Sequence, residues 1–115
     1  MGSTQLLLKF LKSKRIINDL TSAEKETGTG NITLKKGTDL FIRDNITGMG
    51  TILKEDLENH YYITSVKNGM FGNSLTYALI ERHDSSAKIV AYAHEGLIKQ
   101  NLVSKTIDKI TKALS

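Results

Sequence analysis

HYYITSVKNGMFGNSLTYALIER, residues 60–82, is the stretch on which the fold turns. Its first part sets Tyr61, Ile63 and Ser65 against Tyr62, Thr64 and Val66; its last part sets Leu75, Tyr77 and Leu79 against Thr76, Ala78 and Ile80. A period of two rich in β-branched and aromatic residues is a strand signal, because successive side chains leave a strand on opposite faces. Between the two parts stands Asn68-Gly69, a pair that readily takes the positive φ of a tight hairpin turn. Two consecutive antiparallel strands follow.

The same alternation extends outward. Downstream, His83-Asp84-Ser85-Ser86 turns into a strand over 88–94. Upstream, strands are predicted over 31–35, 38–43 (Leu40 and Ile42 opposite Phe41) and 46–54, with turns at Lys36-Gly37 and Asp44-Asn45 and a charged loop over 55–59. That makes about six strands. Both ends of the chain read as helix. Over 4–20, Leu6, Phe10, Ile17 and Leu20 share one stripe with Leu7, Leu11 and Ile16 beside it; the leucine run also fits a short strand over 5–10 followed by a helix from Ser13. Thr21 with Glu24 matches a capping box, Gly28 closes the helical segment, and the turn over 28–30 is a candidate hinge. From Glu95 the period is helical again, with Ile98, Leu102, Val103, Ile107, Ile110 and Leu114 on one face. A helix stripe and a sheet face are each unstable alone and must bury one another. The expectation is an α+β, mainly β chain: a basic amphipathic N-terminal segment, 1–30, then an antiparallel sheet curled around a C-terminal helix, 31–115.

Composition narrows the function. At 115 residues with 39% apolar and 24% charged side chains there is room for one core, which excludes barrel-sized catalytic architectures. The absence of cysteine removes disulfides, thiolate zinc sites and a thiol nucleophile. The net charge of +4 is concentrated at the ends: Lys9, Lys12, Lys14 and Arg15 face no acid before residue 19, and the tail from Lys99 carries four lysines against Asp108. The middle, with eight bases and eleven acids, is mildly acidic. Four aliphatic-flanked bases without stacking aromatics fall short of a nucleic-acid face. No apolar run approaches the ~20 residues of a spanning helix, and nothing resembles a signal peptide, so a cytoplasmic setting is expected. Leu6 stands where a myristoylation signal on Gly2 needs Ser or Thr, and the sequons at Asn31 and Asn45 carry no weight without export.

The constellations tested for chemistry are weak. Gly28-Thr29-Gly30 and Gly48-Met49-Gly50 open no helix and do not form a phosphate cradle. His60, His83 and His94 lack metal-ligand spacing. Glu81 and His83 share a strand face as an acid–base pair without a nucleophile, and Glu95 favours the positive end of the helix that follows it. No cofactor and no enzymatic activity are expected. Met70-Phe71 places two large apolar side chains in a turn; Phe71 either folds back over the end of the sheet or docks on a partner or membrane.

The segment from Ile63 through the turn to Leu75-Thr76-Tyr77, followed by the strand over 88–94 and a helix ending Ile107-Asp108-Lys109-Ile110, resembles the bacterial pleckstrin-homology-like (PH-like) family. The likeness lies in an I-x-S-V strand, a G-x-F-G hairpin and an S-L-T strand; Asp39-Leu40-Phe41-Ile42-Arg43-Asp44 resembles an early segment of that family more loosely. It implies a partial barrel of six to seven antiparallel strands closed by the C-terminal helix and used as a scaffold, binding a protein partner, itself, or an anionic membrane surface. Lys35-Lys36 matches the family's headgroup-binding basic motif only in part. The candidate binding residues are therefore Lys9, Lys12, Lys14, Arg15, Lys35, Lys36 and Phe71. If 5–10 is a strand, the element order resembles the helix-grip fold of START-like carriers, which implies an apolar ligand between the sheet and the stripe of Ile98, Leu102 and Ile110.

Overall fold

The computed structural model describes residues 2–68, 74–95 and 101–115. The chain forms α1 (Ser3–Ser13), α2 (Leu20–Glu24), β1 (Thr27–Thr33), α3 (Asp39–Thr47), β2 (Gly50–Asp56), β3 (Tyr61–Asn68), β4 (Ser74–His83), β5 (Ser86–Tyr92) and α4 (Leu102–Leu114). The strands make one open sheet in the order β1-β5-β4-β3-β2, with every pair antiparallel. From the β1 edge the chain passes through α3 to the far edge, and then returns as a meander until β5 meets β1.

The expected antiparallel pairing of the two strands is present, with Tyr62 opposite Ile80, Thr64 opposite Ala78 and Val66 opposite Thr76, while the expected turn between them falls on residues 69–73, outside the described residues. The alternation of the two strands sorts side chains between two cores rather than between a core and solvent. Tyr61, Ile63, Leu79, Val90 and Tyr92 pack under Leu7, Leu8 and Leu11 of α1 and Ala23 of α2. Tyr62, Val66, Ala78, Ile80, Ile89 and Ala91 pack under Ile42 and Ile46 of α3 and Ile110 and Leu114 of α4. Residues 61–66 are consequently all buried. Helices α3 and α4 cover one face of the sheet and α1 and α2 the other. The expected closed end gives way to an open, two-sided layer of five strands among the described residues.

Several local expectations are corrected. Residues 38–43, read as a strand, belong to the helical segment: Thr38 Oγ1 accepts from the Phe41 amide at the N-cap of α3, and Asp39 stands in its first turn. Ile42 and Ile46, four apart, are both fully buried. The loss of that strand accounts for five strands in place of six or seven. The strand rival for 5–10 is also overturned, since those residues lie within α1. The N-terminal helix stops at Ser13, because Arg15 takes a left-handed φ of 61° and the Arg15 and Ile16 amides return to Lys12 and Leu11. The next helix is capped by Asp19, which accepts from the Thr21 amide, not by Thr21 and Glu24. Helix α4 spans Leu102–Leu114; the expected helical stretch over 96–100, with Ile98, lies outside the described residues.

The turn expected at 28–30 is extended strand, and β1 runs across residue 30. Its glycines answer to α4. A Cβ on Gly28 would lie 2.6 Å from Val103 Cγ1, and one on Gly30 would lie 3.1 Å from Ile107 Cγ2. Strand and helix touch backbone to side chain there. Gly28→Ala should therefore cost about 1–3 kcal/mol through overpacking. Val103→Ala should lessen that cost when combined with it. A double-mutant cycle by denaturant unfolding reads the coupling, and additive effects would contradict the close approach.

Candidate functional site

The seven residues singled out from the sequence do not form one site. Lys9, Lys12, Lys14 and Arg15 are exposed on and just after α1, whose apolar side is committed to the sheet through Leu7, Leu8 and Leu11, each at 0% exposure. Lys14 Nζ lies 5.6 Å from the Phe10 ring centroid, a cation–π contact that holds one of the charges at the helix end. Asp19 is held below its ordinary range by the Ser22 hydroxyl and the Thr21 amide, with a smaller contribution from the positive charge of Lys12.

Ser3, at the start of α1, donates to Glu81 Oε1 at 2.9 Å near the β4–β5 turn. The C-terminal end of α1, with Lys12, Lys14 and Arg15, therefore points toward the opposite end of the sheet. Lys35 and Lys36 are exposed beyond β1 and beside that same β4–β5 turn, where the Leu34 amide donates to the Ser85 carbonyl. The two basic groups sit at different ends of the molecule. Phe71 lies outside the described residues.

The three histidines lie apart, each on its own carboxylate: His60 on Asp39 at 3.5 Å, His83 on Glu81 at 3.1 Å and His94 on Glu26 at 3.2 Å. The Glu81–His83 pair read from the strand face is present, and Ser3 engages the same carboxylate oxygen, so the pair anchors α1. Glu95 also stands at the start of a helix, its carboxylate accepting from the Leu102 amide at 2.6 Å. The Glu95 amide in turn donates to Glu26 Oε2. Open clefts of about 370 and 300 Å³ flank Glu26, the larger lined by Asp19, Ser22, Tyr92 and His94. Burial, with Glu26 and Tyr77 assisting, pushes the Tyr92 hydroxyl above its ordinary value.

The most connected polar cluster was not legible in the sequence. Arg82 Nε meets Asp39 Oδ1 at 3.2 Å, Nη1 reaches the Gly37 and Asp84 carbonyls, and Nη2 lies 3.2 Å from His60 Nδ1. One guanidinium thus ties together the β1–α3 loop, the β4–β5 turn and the residue that opens β3. His60 occupies a left-handed φ of 56° there. With Nδ1 bare the ring accepts from Arg82; protonated at Nδ1 it donates to Asp39. Burial works to raise the Asp39 carboxyl, but the Tyr62 hydroxyl, Arg82 and His60 outweigh it and hold the group below its ordinary value of 3.8. Burial and the neighbouring carboxylates Asp39 and Glu55 push the Tyr62 hydroxyl up, so it stays protonated. The partners of Arg82 lie up to 45 residues away in sequence, which leaves no local pattern to read. The cluster is a clasp across one end of the sheet.

Comparison with protein-family models, curated proteins and solved structures finds no match to this chain.

Among the described residues, no helix is long and apolar enough to cross a membrane. Replacing Arg82 with Leu should lower stability by about 1.5–3 kcal/mol, the range for hydrogen bonds to charged groups. A lowered folded value for Asp39 means that its contribution is present above the ordinary carboxylate range and is lost as pH falls through the folded value. Thermal melts from pH 6 down to about pH 2 should therefore show a shallower acid loss in Asp39→Asn than in the wild type. Parallel curves would show that the clasp carries no charge dependence.

Proposed function

We propose that this chain is a non-enzymatic interaction module related to the PH-like family, and that the basic end of α1 takes hold of an acidic protein partner. One observation carries the reading. Leu7, Leu8 and Leu11 of α1 are buried on the protein's own sheet with Leu6 and Phe10 half-buried beside them, so Lys9, Lys12, Lys14 and Arg15 form the outward, single-sign group of this segment. Such a group raises the encounter rate with an acidic surface and sets its specificity. With Leu7, Leu8 and Leu11 committed to the sheet, α1 offers a bilayer less apolar surface than a free amphipathic helix would, which favours a protein over a membrane surface.

The relation to the PH-like family rests on the meander β2–β5 being followed in element order by the C-terminal amphipathic helix α4. Helix α3 and the second helical layer are departures from that pattern. A carrier of the helix-grip kind needs a cavity between sheet and α4. Tyr62, Ile80, Ile89, Ile110 and Leu114, all at 0% exposure, fill that space instead. A cytoplasmic setting suits a chain without cysteine.

A fluorescent glutamate-rich peptide should bind the full chain with an affinity that falls steeply with salt. Replacing Lys9, Lys12, Lys14 and Arg15 with Gln should abolish that binding and leave the melting temperature unchanged to within a few degrees. Peptide binding retained by the fourfold variant would overturn the assignment. So would phosphatidylserine vesicles that bind the wild type more tightly than the peptide does, because the target would then be a lipid surface.

A further inference from the structure

The two edges of the sheet are built differently. β2 is irregular: its register with β3 shifts between Ile52 and Lys54, leaving Leu53 as a bulge, and Lys54, Glu55 and Asp56 follow. Bulges and charges are the devices that keep an edge strand from pairing with another chain. β1, TGTGNIT, has neither a charge nor a proline, and its register with β5 is unbroken from Thr27 to Thr33. It is a flat edge without protection.

The pairing shows which groups that edge offers. The Ala93 amide donates to the Glu26 carbonyl and the Leu34 amide to the Ser85 carbonyl, so the even-numbered residues of β1 exchange hydrogen bonds with β5. By the alternation of an antiparallel ladder, the N–H and C=O groups of Thr27, Thr29, Asn31 and Thr33 point away from β5. Among the described residues no hydrogen bond reaches them from outside the strand. Thr29, Asn31 and Thr33 are also exposed.

We propose that β1 pairs with β1 of a second copy of this chain, antiparallel about a two-fold axis at Gly30, to make one continuous sheet. In that register Thr27 stands opposite Thr33, and Thr29 opposite Asn31, of the partner, so every outward backbone group of the strand is paired. The charges flanking β1 select this direction. Glu24, Lys25 and Glu26 precede the strand with a net charge of −1 and Lys35 and Lys36 follow it with +2, so antiparallel pairing sets net opposite charge together at both ends, although Lys25 faces Lys35, whereas parallel pairing brings like to like. The side of α4 adds apolar surface along the seam. Val103 and Ile107 are half-buried over Gly28 and Gly30, and a two-fold at Gly30 sets Ile107 near its own copy, with Val103 farther along the seam. This surface is separate from the basic end of α1, and either proposal can fail without the other.

The test is light scattering on the full chain over a range of concentrations. The wild type should approach twice the 12.7 kDa chain mass. The T29K/N31K variant sets ammonium groups opposite ammonium groups across the axis, and T29E/N31E does the same with carboxylates; each should remain at the single-chain mass. Because both positions are exposed, circular dichroism and melting of the variants should match a folded monomer. Mixing the two variants should restore the double mass. A wild type that stays at 12.7 kDa at every concentration, variants that dimerise alone, or a mixture that stays monomeric would each overturn the proposal.

Discussion

Burial of β3 on both faces is the constraint from which the rest of the molecule follows. Tyr61 to Val66 leave no face of β3 to water, so each face needs its own cover. A chain of this length meets that need with short helices: Leu7, Leu8 and Leu11 of α1 on one side, Ile42, Ile46, Ile110 and Leu114 of α3 and α4 on the other. None of these helices is long enough to be stable alone, and each is fixed by the apolar side chains it places on the sheet. The polar ends are tied by single side chains reaching between loops, Arg82 at one end and Glu26 with Glu95 at the other.

That constraint separates what could be read in the sequence from what could not. The meander was legible because strand alternation and turn residues are local; the strands near 60–67, 74–82 and 88–94 stand close to where alternation put them. Residues 38–43 misled because Leu40, Phe41 and Ile42 satisfy both a period of two and a helix. The deciding feature is the Thr38 hydroxyl on the Phe41 amide, a cap that alternation obscures. Gly28 and Gly30 misled for a different reason. Glycine reads locally as a turn, whereas here its missing side chain makes room for Val103 and Ile107, some 75 residues on. Only tertiary contact reveals that role.

The candidate site divides along the same line. The bases of the N-terminal segment were legible as a group because they are contiguous and unopposed. Their setting was not. An amphipathic helix preceding a glycine pair reads either as docked on the sheet or as a free arm, and Ser3 on Glu81 with the leucines on β4 and β5 makes α1 part of the packed layer. This changes the chemistry available to it, since the docked helix has its central leucines committed to the sheet while a free one would present charge and its whole apolar face together.

The position of α4 links the core to the edge. Thr106 and Thr76 are both at 0% exposure, and hydroxyls at such depth must find partners. Asn68 Nδ2 donates to Thr106 Oγ1, which lies 2.8 Å from Thr76 Oγ1 and 2.7 Å from the Leu102 carbonyl, while Thr76 donates to the Val66 carbonyl. Apolar packing tolerates small rotations of a helix about its axis; a buried hydrogen-bonded chain does not, because a turn of the helix strands a donor away from water. The hydroxyl chain therefore sets the rotation of α4. With Thr106 held on β3 and β4, Val103 and Ile107 fall over β1, and only glycine beneath them lets the helix lie close enough to cover the outermost strand. The flat, uncharged edge and the threonines buried in the core are two ends of one packing arrangement.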